Sequence, residues 1–336
     1  MTGITFETMS RSHVEDAAKI ALSEYLEERS SVPVLPDFNF YESLYSLISE
    51  LADSDLGTVA LENGKVIGYL TCYQPMQNHF GTTPGVFSPL HGHGTVKENR
   101  AKIYSWLYQK ASEKWVRKGI LSHAISLYAH SEAIQSFFWN GFGLRCVDAI
   151  RKVEPITSNE YRGAKFCELS KDEIEQVVPL KNQLIKHLQK TPMFIPLFFQ
   201  WDIQQVKEEN ERRGSRFFVI QVNGETAAFV EIMASGENFA CDHTGMMNIC
   251  GAYMLPEYRS QAAWASSRQS LRPASGMFTK LLSFLMDTLG TEGYTHCGVD
   301  FESFNYTASG FWLKHFTPYT YSVVRRIDER IVKGSL

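Results

Sequence analysis

Alternating apolar and polar residues in two stretches of the chain, 160 positions apart, predict two β-hairpins. The first stretch, GTVALENGKVIGYLTCY, turns at Asn63-Gly64, and the second, RFFVIQVNGETAAFVEI, turns at Asn223-Gly224. A type I′ turn needs positive φ at both central residues, which Asn and Gly adopt at little cost. Each stretch therefore predicts two strands joined by a two-residue turn.

Helical patterns precede both hairpins. Residues 14–51 come before the first hairpin and residues 171–213 before the second. Two prolines divide each region into two predicted helices, because proline cannot continue a helix interior. The dividing prolines are Pro33, Pro36, Pro192 and Pro196.

A further helix is predicted after each hairpin, with apolar residues at every fourth position. Each pattern ends at a glycine, Gly119 in the first half and Gly293 in the second, which is a typical helix stop. From these glycines the halves align without a gap, so that Phe137 matches Phe311 and the tail IRKVE matches VRRID. The shared order of elements predicts a tandem repeat of one α/β unit.

The predicted fold class is therefore α/β (α+β mixed sheet), with two tandem domains, each a mixed β-sheet flanked by helices. We place the domains at 1–156 and 164–336, because Glu154–Gly163 is rich in turn-forming residues. The offset between the halves grows from 160 at the hairpins to 174 at the glycines. The polar stretch SQAAWASSRQSLRPAS, residues 260–275, holds the extra residues, and we interpret it as a surface loop.

Composition narrows the possible function classes. The 336 residues carry a net charge of −4 and are 44% hydrophobic, which is typical of a globular protein and argues against nucleic acid or anionic membrane as partner. Six scattered cysteines without a C-x-x-C pair indicate reduced thiols. We expect a cytoplasmic protein, since neither a signal-peptide pattern nor a membrane-spanning stretch is present. His91 and His93 lack a third ligand of suitable spacing, so we expect no metal.

Two segments of the second half resemble a known family. They are AYMLPEYR (252–259) followed by GMFTKLL (276–282), and VDFESFNYTASGFW (299–312). Together with the order of elements, they resemble the GCN5-related N-acetyltransferases (GNAT), here doubled. The resemblance implies acetyl-CoA as co-substrate, and it covers nearly the whole chain in architecture.

Residues of the second half would bind the acetyl-CoA. A glycine before a helix N-terminus offers free N–H groups and a positive dipole end to a pyrophosphate. The resemblance implies main-chain pairing with the pantetheine on the preceding strand and an asparagine beside the cofactor. The cofactor-binding residues implied are Ala252, Tyr253, Met254, Arg259, Arg272, Ser275, Gly276, Met277, Phe278 and Asn305.

The sequence departs from the family pattern at several positions. The insertion follows Arg259, and Phe278 stands where a small residue is usual. Trp312 occupies the place of the tyrosine that often protonates the departing thiolate, so Tyr306 or Tyr319 is the alternative donor. In the first half Lys102 stands in place of the glycine, so we interpret that half as a degenerate copy that is structural or shapes the substrate.

The base that takes a proton from the acceptor amine would be a carboxylate. Asp300 and Glu302 alternate on a predicted strand, and Glu231 lies on the hairpin; we select Glu302, with a solvated strand end as the alternative interpretation. The segment PMFIPLFFQW (192–201) either lines a hydrophobic acceptor site or covers the core.

The leading hypothesis is an acetyl-CoA-dependent N-acetyltransferase that acts on an unidentified small-molecule or peptide amine. The amine would attack the thioester directly, in the C-terminal domain, with Glu302 and Tyr306 as catalytic residues. The alternative is a catalytically inactive GNAT-like protein that binds CoA or a protein partner.

Overall fold

The computed structural model describes residues 3–79, 81–161, 163–259 and 276–333. The first half begins with a strand that the sequence analysis did not predict and continues with the two predicted helices, the hairpin, and further strands alternating with helices. Its strands are β1 (Ile4–Thr8), β2 (Thr58–Glu62), β3 (Lys65–Leu70), β4 (Gly85–Ser88), β5 (His93–Thr95), β6 (Ser122–Tyr128) and β7 (Gly143–Lys152). Its helices are α1 (Val14–Ser31), α2 (Tyr41–Ala52), α3 (Arg100–Arg117) and α4 (Ala133–Trp139).

The second half repeats this plan. Its strands are β8 (Ala164–Glu168), β9 (Arg216–Val222), β10 (Glu225–Met233), β11 (Met246–Met254), β12 (His296–Glu302) and β13 (Thr317–Arg326). Its helices are α5 (Val178–Leu188), α6 (Ile203–Arg213), α7 (Met277–Thr291), α8 (Tyr306–Trp312) and the short α9 (Arg330–Lys333). No described helix is both long enough and apolar enough to cross a bilayer.

Both predicted hairpins are confirmed. The pairs β2–β3 and β9–β10 turn at Asn63-Gly64 and Asn223-Gly224, and all four turn residues have positive φ, between 52° and 86°. The proline breaks are confirmed too, since α1 and α2 are separate, as are α5 and α6. Helices α3 and α7 end just before Gly119 and Gly293, whose φ angles are 74° and 87°.

One sheet of nine strands runs through both halves. Its order is β4-β6-β13-β7-β12-β11-β10-β9-β8, and a second sheet has the order β1-β2-β3-β5. The last strand of each half pairs antiparallel with a strand of the other half, β7 with β12 and β13 with β6. The mixed sheets of the two repeats therefore join, and the limits 1–156 and 164–336 stay a prediction for the domains.

Apolar clusters fill both faces of the sheets. Helix α7 buries Leu281, Leu285 and Leu289 against the second half of the large sheet, and α3 buries Leu107 and Trp115 on the first half. These are the i, i+4 positions that the sequence predicts for the core, and burial of such side chains is the main stabilising contribution to folding.

The repeats differ at the strand before the α3 and α7 helices. In the second half this strand is continuous as β11. In the first half it is divided into β4, which pairs with β6, and β5, which pairs with β3 in the other sheet. Residues 89–92 separate the two pieces.

Candidate functional site

A gap opens between two parallel strands of the second half. Strands β11 and β12 pair from Met246 and His296 as far as Ile249 and Val299. Cys250 is a one-residue bulge, because Glu231 and its neighbour on β10 pair with residues on either side of it. A bulge bends its strand, so β11 leaves β12 with backbone N–H and C=O groups facing the gap.

Polar side chains gather at the mouth of this gap. The guanidinium of Arg259 lies 4.8 Å from the ring centroid of Tyr253, and its Nε donates to the Met254 carbonyl at 2.8 Å. The ring of His187 lies 6.1 Å from that of Tyr253, and its Nε2 is 3.5 Å from Oδ1 of Asn305. No carboxylate of the described residues forms an ion pair with Arg259, so its charge is available to an anion.

The first turn of α7 packs against α8, which follows β12. Gly276 precedes it with φ 107°, and the Tyr161 hydroxyl occupies the space that a Cβ on Gly276 would need. Met277 is buried in the core, and Phe278 packs edge-to-face on Phe311 at 5.0 Å. These two side chains therefore support the helix, while only their backbone groups are free to meet a ligand.

Asn305 is buried and acts as a helix cap. Its Oδ1 accepts a hydrogen bond from the hydroxyl of Thr307 at 2.8 Å and lies 3.4 Å from the N–H of Ala308, in the first turn of α8. Such a cap satisfies a donor that the helix itself leaves unpaired. Asn305 lies near His187 at the mouth of the gap, and its Oδ1 has a structural role. That it lies beside a cofactor stays a prediction.

A narrow acidic cavity, with about 10 Å³ of accessible space, lies where β11 and β12 separate. Asp300, Asp148, Glu237 and Cys250 line it. Burial, together with the nearby carboxylates of Glu237 and Asp148, raises the pKa of Asp300 to about 8. The volume suits one water-sized group. A carboxyl group with such a pKa is a typical mark of a functional site.

Asp148 lies on β7, the last strand of the first half, which pairs with β12 of the second half; we call β7 and β13 the exchanged strands. It lies opposite Asp300 in register, and its carboxylate accepts hydrogen bonds from Thr320 at 2.6 Å and Asn238 at 3.0 Å. Its pKa is raised to about 6, chiefly by burial. The first half therefore contributes a side chain to the site of the second half.

The other two candidate carboxylates are tied to cations. Glu302 accepts a hydrogen bond from Arg145 of β7 at 3.0 Å. Burial raises the pKa of Glu302, and Arg145 opposes that rise. Glu231 is buried and accepts from Lys181 at 2.6 Å. In the described residues Asp300 alone of the three lacks an ion-pair partner.

The aromatic candidates divide into buried and exposed residues. Trp312 is packed in the core between Phe278 and Phe316. Tyr319 is fully buried beside the acidic cavity, where its hydroxyl accepts from Asn238 at 3.0 Å and burial raises its pKa well above the usual value. Tyr306 begins α8 and is exposed.

In the first half the equivalent gap is filled. His93 of β5 and Ala252 of β11 are equivalent positions. Each lies opposite a residue of the second hairpin strand in its own half, and these two partner residues are 160 positions apart, the offset between the hairpins. The His93 ring reaches across to β6, where Nε2 donates to the Ser126 carbonyl at 2.6 Å, and Nδ1 lies 2.9 Å from the Tyr104 hydroxyl. Burial lowers the pKa of His93 to about 4, so the ring is neutral.

The arginine of the first half is neutralised. Arg100 follows β5 at the same distance as Arg259 follows β11. It binds Glu27 of α1 with two hydrogen bonds, at 2.7 and 3.1 Å, and its Nε lies 3.4 Å from Glu24. Burial raises the pKa of Glu24 to about 7 despite Arg100.

Other residues considered in the sequence analysis lie outside the described residues or have more than one environment. Arg272, Ser275 and the rest of the segment 260–275 lie outside the described residues. In the segment 192–201 Met193 is buried, as a role in covering the core requires, whereas Phe198 is 87% exposed. That the exposed part lines an acceptor site stays a prediction. Sequence reasoning missed Asp148 and Lys181, although a charged residue within an apolar strand or helix pattern was a usable signal.

The fold is similar to that of solved acetyltransferases. A GCN5-related N-acetyltransferase from Sphaerobacter thermophilus superposes with a TM-score of 0.57 at 10% identity, over 96% of this chain and 95% of that one. A tandem GNAT protein from the clavulanic acid biosynthesis pathway gives 0.46 at 11% identity, over 96% of this chain and 98% of that one. A GCN5-related N-acetyltransferase from Kribbella flavida gives a TM-score of 0.43 at 10% identity, over 97% of this chain and 72% of that one.

Comparison with protein-family models and with curated proteins gave no match. The first similarity shows that the chain has the fold of a GCN5-related N-acetyltransferase along nearly its whole length. At 10% identity it shows the fold alone, so activity must be argued from the residues of the site.

Proposed function

We propose that the second half transfers an acetyl group from acetyl-CoA to an amine, with the gap between β11 and β12 as the acetyl-CoA site. The observation that carries this proposal is the contrast at one position, where Ala252 leaves open the gap that His93 fills in the first half. An open strand edge can pair with the amide groups of a pantetheine arm.

The residues around the gap fit the rest of acetyl-CoA. The guanidinium of Arg259 has no carboxylate partner among the described residues, and arginine binds phosphates well. Since Gly276 has no side chain, the backbone N–H groups at the start of α7 can approach an anion closely. A Cβ at this position would also collide with the Tyr161 hydroxyl. Arg272 and Ser275 stay predictions of the sequence for this role.

Asp300 is our candidate for the base, in preference to Glu302. An amine arrives largely as an ammonium ion at neutral pH, and it must lose a proton before its lone pair attacks the thioester carbonyl. Asp300 lines the cavity without an ion-pair partner, and its pKa near 8 matches that task. Glu302 is held by Arg145 and would need to break that contact.

The chemistry would then follow by direct attack. Nitrogen bonds to the carbonyl carbon, the C–S bond breaks, and the thiolate leaves with a proton from Tyr306 or from water. Cys250 is an unsuitable nucleophile, because burial raises the pKa of its thiol to about 12. The protein contributes positioning of the two reactants and stabilisation of the developing negative charge by backbone N–H groups.

The experiment is a thiol-release assay with acetyl-CoA and a panel of primary amines. Asp300→Asn should lower kcat about 10²- to 10⁴-fold, the usual contribution of a general base, and leave acetyl-CoA affinity within about threefold. Glu302→Gln is the matched control and should lose much less. A larger loss in Glu302→Gln would return the role to Glu302, and no turnover of any amine by the unmodified protein would contradict the proposal.

A further inference from the structure

The first half contains a cavity of about 270 Å³ that the proposed reaction does not use. It lies between α1, the start of α3 and the end of β6, which is the corner that holds His187, Arg259 and Asn305 in the second half. Its walls include Glu24, Glu28, Lys97, Arg100, Tyr128 and His130. The volume is close to the lower end of the range for small-molecule sites.

Two buried donors at this cavity lack hydrogen-bond partners. Tyr128 is 2% exposed, and its hydroxyl has no partner among the described residues. The Nε–H of Arg100, itself 6% exposed, makes no hydrogen bond there either, although Glu24 lies 3.4 Å away. Leaving a buried donor unpaired is costly, so the Tyr128 hydroxyl calls for an oxygen acceptor that the described residues do not provide, while Arg100 Nε has only the long contact with Glu24.

The cavity also has carboxylates in excess of cations. Glu24, Glu27 and Glu28 face it from α1, against Lys97 and Arg100. Arg100 is engaged by Glu27, whereas Glu28 binds the backbone N–H and Nδ1 of His130 at 3.1 and 2.8 Å. Lys97 is exposed and forms no ion pair within the described ranges. Glu24 already accepts from the Thr95 N–H at 3.0 Å and the Tyr104 hydroxyl at 2.9 Å. The remaining lone pairs of Glu24 and Glu28 are therefore the acceptors that the walls offer to an ammonium group, and Tyr128 and Lys97 offer donors to a carboxylate.

Acetyl-CoA does not match this site. His93 and Tyr104 fill the gap between the strands, and Arg100 is already neutralised by glutamates. A phosphate would meet the carboxylates of α1 without bringing a cation to offset them, and like charges repel.

We propose that this cavity binds a free amino acid or a similar small zwitterion. Its ammonium group would lie against the Glu24 and Glu28 carboxylates, and its carboxylate would accept from Tyr128, Arg100 Nε and Lys97. The site is distinct from the acetyl-CoA gap, and the proposal does not depend on the transferase reaction.

The test is calorimetric titration of the twenty free L-amino acids into the full chain without acyl-CoA. At least one should bind, and its N-acetyl and methyl ester forms should not, because each lacks one of the two charges. Failure of every amino acid at millimolar concentration would overturn the proposal.

Variants localise the binding. Tyr128→Phe removes only the hydroxyl and should weaken binding roughly 3- to 10-fold, in line with one hydrogen bond. Tyr45→Phe, at an exposed tyrosine of α2, is the control and should change nothing. Unchanged affinity in Tyr128→Phe, or loss of binding in Asp300→Asn of the second half, would place the ligand elsewhere and contradict the proposal.

Discussion

The two halves of this chain have the same corner of the fold with opposite contents. In the second half Ala252 leaves a gap, and Arg259, which contacts Tyr253 and the Met254 carbonyl, has no carboxylate partner among the described residues. In the first half His93 bridges the strands, and Glu27 neutralises Arg100. Separated strands alone therefore do not make a cofactor site. Whether a ligand can bind depends on the side chain at the point of separation and on whether the nearby arginine is neutralised by a carboxylate.

The exchange of last strands links the two halves at the candidate site. Strand β7 supplies Asp148 and Arg145 to the neighbourhood of Asp300 and Glu302. The first half therefore contributes to the electrostatics around the carboxyl groups of the second half. The expectation that the first copy is structural or shapes the substrate stays a prediction.

The largest expected effect comes from filling the open gap. Ala252→His introduces the side chain that closes the first half, so acetyl-CoA affinity should fall at least about 100-fold, by steric exclusion of the ligand. Ala252→Ser keeps a small side chain and is the matched control. Titration calorimetry measures both, and equal affinities in the two variants would show that the gap is not the binding site.

The two arginines should separate binding from stability. Arg259→Gln removes a charged donor and should weaken acetyl-CoA binding roughly 10- to 100-fold with little change in the free energy of unfolding. Arg100→Gln should leave acetyl-CoA affinity unchanged and cost about 3–5 kcal/mol of stability, since Glu24 stays buried without its cation. Urea unfolding and calorimetry report the two quantities, and the reverse pattern would contradict the comparison.

The pH dependence of kcat/KM tests the contribution of the first half. Activity should rise as pH increases through about 8, because Asp300 acts as a base only when ionised. Asp148→Asn removes one of the charges that raise this pKa, so the rising limb should move to lower pH. An unchanged profile would mean that Asp148 and Asp300 are not coupled.

Stability should also depend on these carboxyls, with a smaller effect. The pKa values of Asp300 and Asp148 are raised in the folded chain, so their protonated forms favour folding at low pH. That contribution is complete below about pH 4, the unfolded value, and is lost as pH rises through about 6 and 8. As pH rises from 6 to 9, the melting temperature of Asp300→Asn should therefore fall less than that of the unmodified chain.

Local patterns predict most of the fold, and pairing across the chain is what they miss. The Asn-Gly turns, the proline breaks and the glycine helix stops are local signals, and all appear where the sequence places them. The exchange of β7 and β13 depends on pairs of residues more than about 140 positions apart in the sequence, for which alternation gives no partner. Alternation shows that a strand is buried, not which neighbour it has.

The candidate site is predictable only in part, for the same reason. The motif around Arg259, Gly276 and Asn305 lies within one repeat, so the sequence could point to it, and its role as a cofactor site stays a prediction. Asp148 and His187 come from other parts of the chain and have no motif of their own. The preference for Asp300 over Glu302 depends on which carboxylate meets Arg145, which a strand pattern cannot show.

The proposal that only the second half binds acetyl-CoA is tested by titrating acetyl-CoA into the purified chain and reading the number of sites. We expect one site per chain, lost in Ala252→His and retained in His93→Ala. Two sites, or one site that survives Ala252→His, would contradict the proposed difference between the halves.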